Sequence, residues 1–354
     1  MASAPTLANA EPAPADSCHL DGAYVMGTVL EVRLCHRDGA SAAAAILDRA
    51  RHFDATFTTW AAASPVIELN RAAGSEVRSK DPDVVDILGE ARAWTDATGG
   101  AFDVTVGPLL DLWQRAELED RPPPPRELRE TLRRIGAGRI DISEDGVRLA
   151  PGTSVDLGGL AKGFALDRIA EDLRRRGIDR GLIDFGQSSL LALGPAPGEE
   201  GWKLAVRRPD GPLVGTIELR GRAASISASY GRSFEVAGKR YAHVIDPRTG
   251  LPVAEERLAL VVSSDASQAE ALSTALIVEG APGLAVVEAI AGSEALLVSG
   301  PRGHTLQTSG FTAAARFVAF PSPTDAGPPH ARTKPGAPGQ KMAPRSGSPS
   351  NALP

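Results

Sequence analysis

The chain has 354 residues, enough for one large domain or two ordinary ones, and its 42% hydrophobic and 23% charged content is that of a globular protein. A net charge of −6 leaves no electrostatic case for nucleic acid and is the wrong sign for an anionic membrane surface. No apolar run reaches transmembrane length.

Met1 to Ser17 is rich in Ala and Pro and lacks the basic start and apolar core of a secretory signal. Residues 1–20 are expected as a flexible lead-in. Cys18 and Cys35 make neither a disulfide framework nor a metal cluster, so two reduced thiols are expected, Cys35 within a strand. With no export signal, the expected location is cytoplasmic.

Tyr24 to Leu34 alternates like a strand, interrupted at Gly27-Thr28. Ser41 to Thr56 has helical spacing, and Val66 to Ala72 is a short element. Asp83 to Thr98 predicts a helix, with Val84, Ile87, Leu88, Ala91 and Trp94 on one face, stopped by Gly99-Gly100. Residues 117–127, with Pro122 to Pro125, read as a surface loop, and Arg126 to Ile135 as a short helix. Ile140 to Ala150 is a predicted hairpin turning at Asp145-Gly146. Thr153 to Leu157 is expected as a strand entering the Gly158-Gly159 turn. The helix that follows places Leu160, Phe164, Ile169 and Leu173 inward and ends at Gly177.

Gly181 to Leu193 reads as a buried strand broken by Gly186-Gln187-Ser188-Ser189. Short strands follow at Trp202–Val206, Leu213–Leu219, Ala223–Ser229, Ser233–Val236, Tyr241–Ile245, Leu258–Ser263 and Glu294–Ser299. Helices are expected over Ser267 to Glu279 and Leu284 to Ala291. From Pro321 the Pro/Gly/Ala/Ser-rich chain has too few large apolar residues to offset its ordering entropy, so residues 321–354 are expected to be disordered. Irregularly interleaved helices and antiparallel hairpins make the class α+β, with one domain over residues 21–320.

Four dispersed segments carry chemistry that packing alone does not call for: Met26-Gly27-Thr28; Thr98 to Thr105; Asp156 to Lys162; and Tyr241 to Pro252, followed by Ala269-Glu270 to Thr274-Ala275. Glycines at 158 and 159 let a ligand approach the backbone, the new helix offers N–H groups to an anion, and Lys162 adds positive charge. Glu270 and Thr274, four apart, share a helix face. Separately, each has a plainer reading as a turn or a solvated face.

Together these segments resemble the ApbE family, the FAD:protein FMN transferases, from about Tyr24 to Val298. His243-Val-Ile-Asp246-Pro-Arg-Thr-Gly250-Leu-Pro is the most specific piece, and Asp156-Leu-Gly-Gly-Leu-Ala-Lys162-Gly is next. The resemblance implies Mg²⁺-dependent transfer of FMN from FAD to a Thr or Ser hydroxyl of an acceptor redox protein, with release of AMP. It implies FAD contacts at Met26, Trp60, Ala101, Phe102, Asp103, Asp156, Lys162 and His243. It implies metal ligands at Gly159 (through its carbonyl), Glu270 and Thr274, and catalytic roles for His243 and Asp246. His243 suits proton acceptance near neutral pH. It also allows a location outside the cytoplasm. Two departures stand out: Glu270 replaces the usual Asp, and Gly186-Gln187-Ser188-Ser189 stands where many members carry Gly-Gly-Asp. A Mg²⁺-dependent FAD pyrophosphatase and a non-catalytic flavin-binding protein are the alternative readings.

Overall fold

In the computed structural model the described residues are 17–320, apart from 62, 209–210, 212, 232 and 301–302. The expected disorder of residues 321–354, and most of the expected lead-in, lie outside them. The chain begins with a hairpin, β1 (His19–Val25) and β2 (Thr28–Leu34), then helices α1 (Gly39–Phe57), α2 (Pro65–Arg71), α3 (Pro82–Ala97), α4 (Gly107–Leu118) and α5 (Pro125–Leu132). A small hairpin, β3 (Ile140–Ser143) and β4 (Gly146–Leu149), precedes α6 (Ala161–Arg175). Strands β5 (Gly181–Phe185), β6 (Ser189–Leu193), β7 (Trp202–Arg207), β8 (Leu213–Leu219), β9 (Arg222–Ala228), β10 (Ser233–Val236), β11 (Lys239–Ala242) and β12 (Arg257–Ser263) follow. The last elements are α7 (Ala266–Glu279), α8 (Gly283–Ala289), β13 (Glu294–Ser299), β14 (His304–Gln307), α9 (Phe311–Ala315) and β15 (Val318–Ala319). The class is α+β, as the interleaving implied.

An eight-stranded sheet in the order β1-β2-β5-β6-β9-β12-β13-β14 is the frame, and all its pairings are antiparallel. Its two faces are covered by different layers, so its central strands are apolar on both sides rather than alternating. On β12, Leu258, Leu260 and Val262 pack with Trp202, Ile217 and Phe311, beneath the smaller sheet β15-β8-β7. Ala259 and Val261 of the same strand face Ala269, Leu272 and Leu276 of α7. Leu30, Val32 and Leu34 of β2 pack with Phe53 of α1 and with Phe164 and Leu166 of α6.

Three expectations are corrected. Thr153 to Leu157 is not a strand. Val155 is instead pinned by the Asn70 side chain, which accepts from the Val155 N–H (2.8 Å) and donates to its carbonyl (3.0 Å). Asp156 N–H donates to the Val104 carbonyl (2.8 Å). The backbone groups are satisfied without a ladder, so the extended conformation needs no sheet. Cys18 and Cys35 are not free thiols but a disulfide. The antiparallel register that pairs His19 with Leu34 brings the next two residues together at the open end of the hairpin. Cys35 itself lies just beyond β2. Finally, Tyr241 to Ile245 is not one strand: β11 stops at Ala242, and Ile245 makes an isolated bridge to Pro252.

Candidate active site

The Gly158-Gly159 turn and the first turn of α6 form the centre. Leu157 starts the helix by accepting from the N–H groups of Leu160 and Ala161. Asp156 Oδ1 accepts from Gly158 N–H (2.9 Å) and holds the turn from within. Asp156 is half-buried and close enough to Asp111 for their charges to interact. Burial pushes the Asp111 carboxyl up and the Asp156 charge adds to this, against Arg115.

Gly159 is the meeting point. A Cβ built there would lie 3.5 Å from the Phe102 ring and 3.5 Å from Thr274 Oγ1. The Thr98–Thr105 segment, the glycine turn and α7 therefore converge at Gly159. Ala101, Phe102 and Asp103 are buried. Asp103 Oδ1 accepts from the N–H (2.8 Å) and hydroxyl (2.6 Å) of Thr105, and the hydroxyl in turn accepts from Gly136 N–H (2.8 Å). Burial pushes the Asp103 carboxyl up, and the Thr105 hydrogen bonds oppose this.

Met26 and Gly27 both have positive φ in the β1–β2 turn, a pairing typical of a tight hairpin. This turn abuts the β5–β6 turn, where a side chain on Gly186 would collide with Thr28 Oγ1. His243 is exposed between β11 and the Ile245 bridge. Asp246 is committed: Oδ1 accepts from Arg248 N–H (2.9 Å) and Nε (3.0 Å), and Oδ2 from Nη2 (3.1 Å). Arg248 also donates to Glu279 near the end of α7 and passes beside Gly100. Arg248, absent from the expected set, thus ties this loop to the Thr98–Thr105 segment and to the end of α7. Trp60 is 91% exposed in the α1–α2 loop, its N–H donating to Thr58 Oγ1. Among the described residues no hydrogen bond or ring contact joins Trp60 to the other candidates.

Glu270 is the best-partnered group of the set. Its Oε1 accepts from the Ser189 hydroxyl and stands 3.0 Å from Lys162 Nζ, while its Oε2 accepts from Gly163 N–H (2.8 Å). The N–H of the α6 first turn that is expected to meet a ligand anion is therefore met by a side chain of the protein. Ser189 lies outside the motifs, and its only signal in the sequence is the polar pair Ser188-Ser189 inside an otherwise apolar run.

The ApbE family model matches residues 26–297. The chain belongs to the ApbE family. Similar ApbE relatives include a FAD:protein FMN transferase of Vibrio cholerae serotype O1, 31% identical over 78% of this chain and 86% of the relative. Another, of Klebsiella pneumoniae, is 27% identical over 72% of this chain and 80% of the relative. Among solved structures, the ApbE protein of Thermotoga maritima superposes with a TM-score of 0.75 at 29% identity, covering 84% of this chain and 99% of that one. The flavinyl transferase ApbE of Pseudomonas stutzeri, in apo form, gives 0.74 at 26% identity, covering 84% and 97%.

The ApbE metal expectation is testable on the donor set. Gly159 and Thr274 are adjacent, but both Glu270 oxygens already have partners in the protein, and one of them lies against an ammonium. Mg²⁺ requires oxygen ligands at about 2.0–2.1 Å in octahedral array. A lysine cation beside the same oxygen opposes a second cation there. As folded, the Glu270 carboxylate is arranged around Lys162 and the head of α6 rather than around an ion.

Proposed function

We propose that this chain transfers the FMN portion of FAD to a Ser or Thr hydroxyl of an acceptor redox protein. The hydroxyl oxygen bonds to the FMN phosphorus, the pyrophosphate bridge breaks, and AMP leaves. The observation that carries the reading is the convergence at Gly159 of Phe102, Thr274 and the Lys162 turn, in a chain of this family. Transfer of this kind depends on placing the pyrophosphate, neutralising its charge and removing the hydroxyl proton. Lys162 supplies positive charge beside a glycine turn open to close approach. Exposed His243 supplies a proton acceptor. Met26, Phe102, Asp103 and Asp156 are proposed as the rim and floor of the flavin pocket, and exposed Trp60 as a ring that folds onto it. Asp246, with both oxygens on Arg248, is proposed as a positioning residue that shapes the His243 loop. No step is assigned to Mg²⁺.

The expectation of a cytoplasmic location is also revised in this proposal. A disulfide persists most readily in an oxidising compartment, which the Cys18–Cys35 bond favours. No helix of the described residues is long and apolar enough to cross a membrane.

The test is AMP release from FAD with and without a redox protein carrying a short Ser/Thr-Gly motif, together with flavin fluorescence of the denatured acceptor. AMP and covalent flavin that both require the acceptor are expected. AMP with free FMN regardless of acceptor would make the chain a pyrophosphatase. Saturable FAD binding without AMP would make it a flavin-binding protein.

A further inference from the structure

We propose that Lys162 is the resident cation of this site, and that FAD binds without a divalent ion held on α7. The inference rests on the reading that the site takes FAD. Lys162 Nζ lies 3.0 Å from Glu270 Oε1 and 3.5 Å from the Gly158 carbonyl oxygen. It therefore stands between the Gly158 carbonyl and the α7 carboxylate, and places its positive charge on the same Glu270 oxygen set that an ion would have to use. Its side chain is 20% exposed and that of Glu270 is 5% exposed. An ammonium has three donors, two of which have these partners, so one remains for a ligand oxygen.

The two departures from the family pattern act together here. Glu270 carries one methylene more than Asp, and its carboxylate spans from α7 to the first turn of α6 and to β6. There it meets Gly163 N–H and the Ser189 hydroxyl. Ser189 stands in the stretch where the acidic group of many members is missing, so a hydroxyl donor occupies a place where a second carboxylate would repel Glu270. Gly163 permits the approach: a Cβ there would lie 2.5 Å from the Ala266 carbonyl oxygen. Glu270 is thus an anchor that fixes Lys162 and the head of α6, rather than a ligand waiting for an ion.

Two measurements on the full chain decide it. In the first, FAD is titrated by flavin fluorescence in Mg²⁺ and in EDTA. The affinities are expected to agree within about twofold, and Lys162→Met to weaken binding about tenfold in both buffers, about 1.4 kcal/mol. A loss of tenfold or more in EDTA for the parent overturns the proposal. In the second, Mn²⁺ binding is followed by electron paramagnetic resonance with and without FAD. The parent and Glu270→Gln are expected to give the same spectra; a bound Mn²⁺ that Glu270→Gln abolishes overturns the proposal. The EDTA comparison needs no variant, so a poorly folded Glu270→Gln does not blunt it. If the parent binds no FAD in either buffer, the functional reading fails, and the Mn²⁺ spectra without FAD still decide whether Glu270 holds a metal.

Discussion

Asp103, one of the candidate site residues, is first of all a carboxylate committed to the fold. It is buried, it holds Thr105 in place, and through that hydroxyl it reaches Gly136. Burial raises its carboxyl above the ordinary 3.8. A raised folded value means that the native state binds the proton more tightly than the unfolded chain does. Its contribution to stability is therefore greatest below the unfolded value and falls as pH rises through the folded one. Asp103→Asn cannot titrate. The stability of the parent minus that of Asp103→Asn is expected to decline as pH rises above the ordinary carboxylate value and to level off above the raised folded one. Urea melts of both proteins across that range check the sign, and a difference that grows with pH would contradict the burial argument.

At the scale of elements, the junction of α6 with α7 organises the site. Asp167 of α6 accepts from the N–H groups of Ala266 (2.7 Å) and Ser267 (2.8 Å) and so caps α7, while Glu270 of α7 returns a carboxylate to the head of α6. The two helices satisfy each other's free N–H groups. Gly163 sets their separation: an added methyl would meet backbone atoms of Ala266 and Ser267 at 2.5–2.7 Å. Gly163→Ala should cost about 1–3 kcal/mol through overpacking, read as a lower urea midpoint. An unchanged midpoint would mean that α7 can slide without loss. The Cys18–Cys35 bond closes a loop 17 residues apart in sequence across the β1–β2 hairpin. Its reduction should destabilise the chain by about 3 kcal/mol, a figure from chain entropy. Paired denaturant melts with and without dithiothreitol report it directly.

On the scale of the molecule, one antiparallel sheet separates two dissimilar layers. The helical face carries the site; the opposite face is closed by the β15-β8-β7 sheet and α9. Phe311 of α9 is fully buried against β12 and β13 side chains, although it lies beyond the residues matched by the family model. Phe311→Ala is expected to cost about 3–5 kcal/mol, as for other large core truncations. A thermal midpoint equal to that of the parent would show that α9 is an appendage rather than part of the core.

Periodicity alone determined most helices here. The inward faces of α3 and α6 were legible because Val84, Ile87, Leu88 and Ala91, like Phe164, Ile169 and Leu173, recur at helical spacing and are buried. The segments that form the site were legible for a different reason: their glycines, prolines and charged residues have no packing rationale in sequence. What the sequence did not decide was every feature that depends on a distant partner. Thr153 to Leu157 has strand-forming residues, yet Asn70, more than eighty positions away, takes its backbone bonds. Cys18 and Cys35 pair because of a strand register. The element α9 is too short for a periodic signal and is held by a core assembled from other strands. Glu270 and Ser189 are 81 residues apart, and neither signals in sequence that the other will fill its hydrogen bonds. A carboxylate's role follows from what surrounds it after folding, and only the packing of α6, α7 and β6 against one another supplied those surroundings.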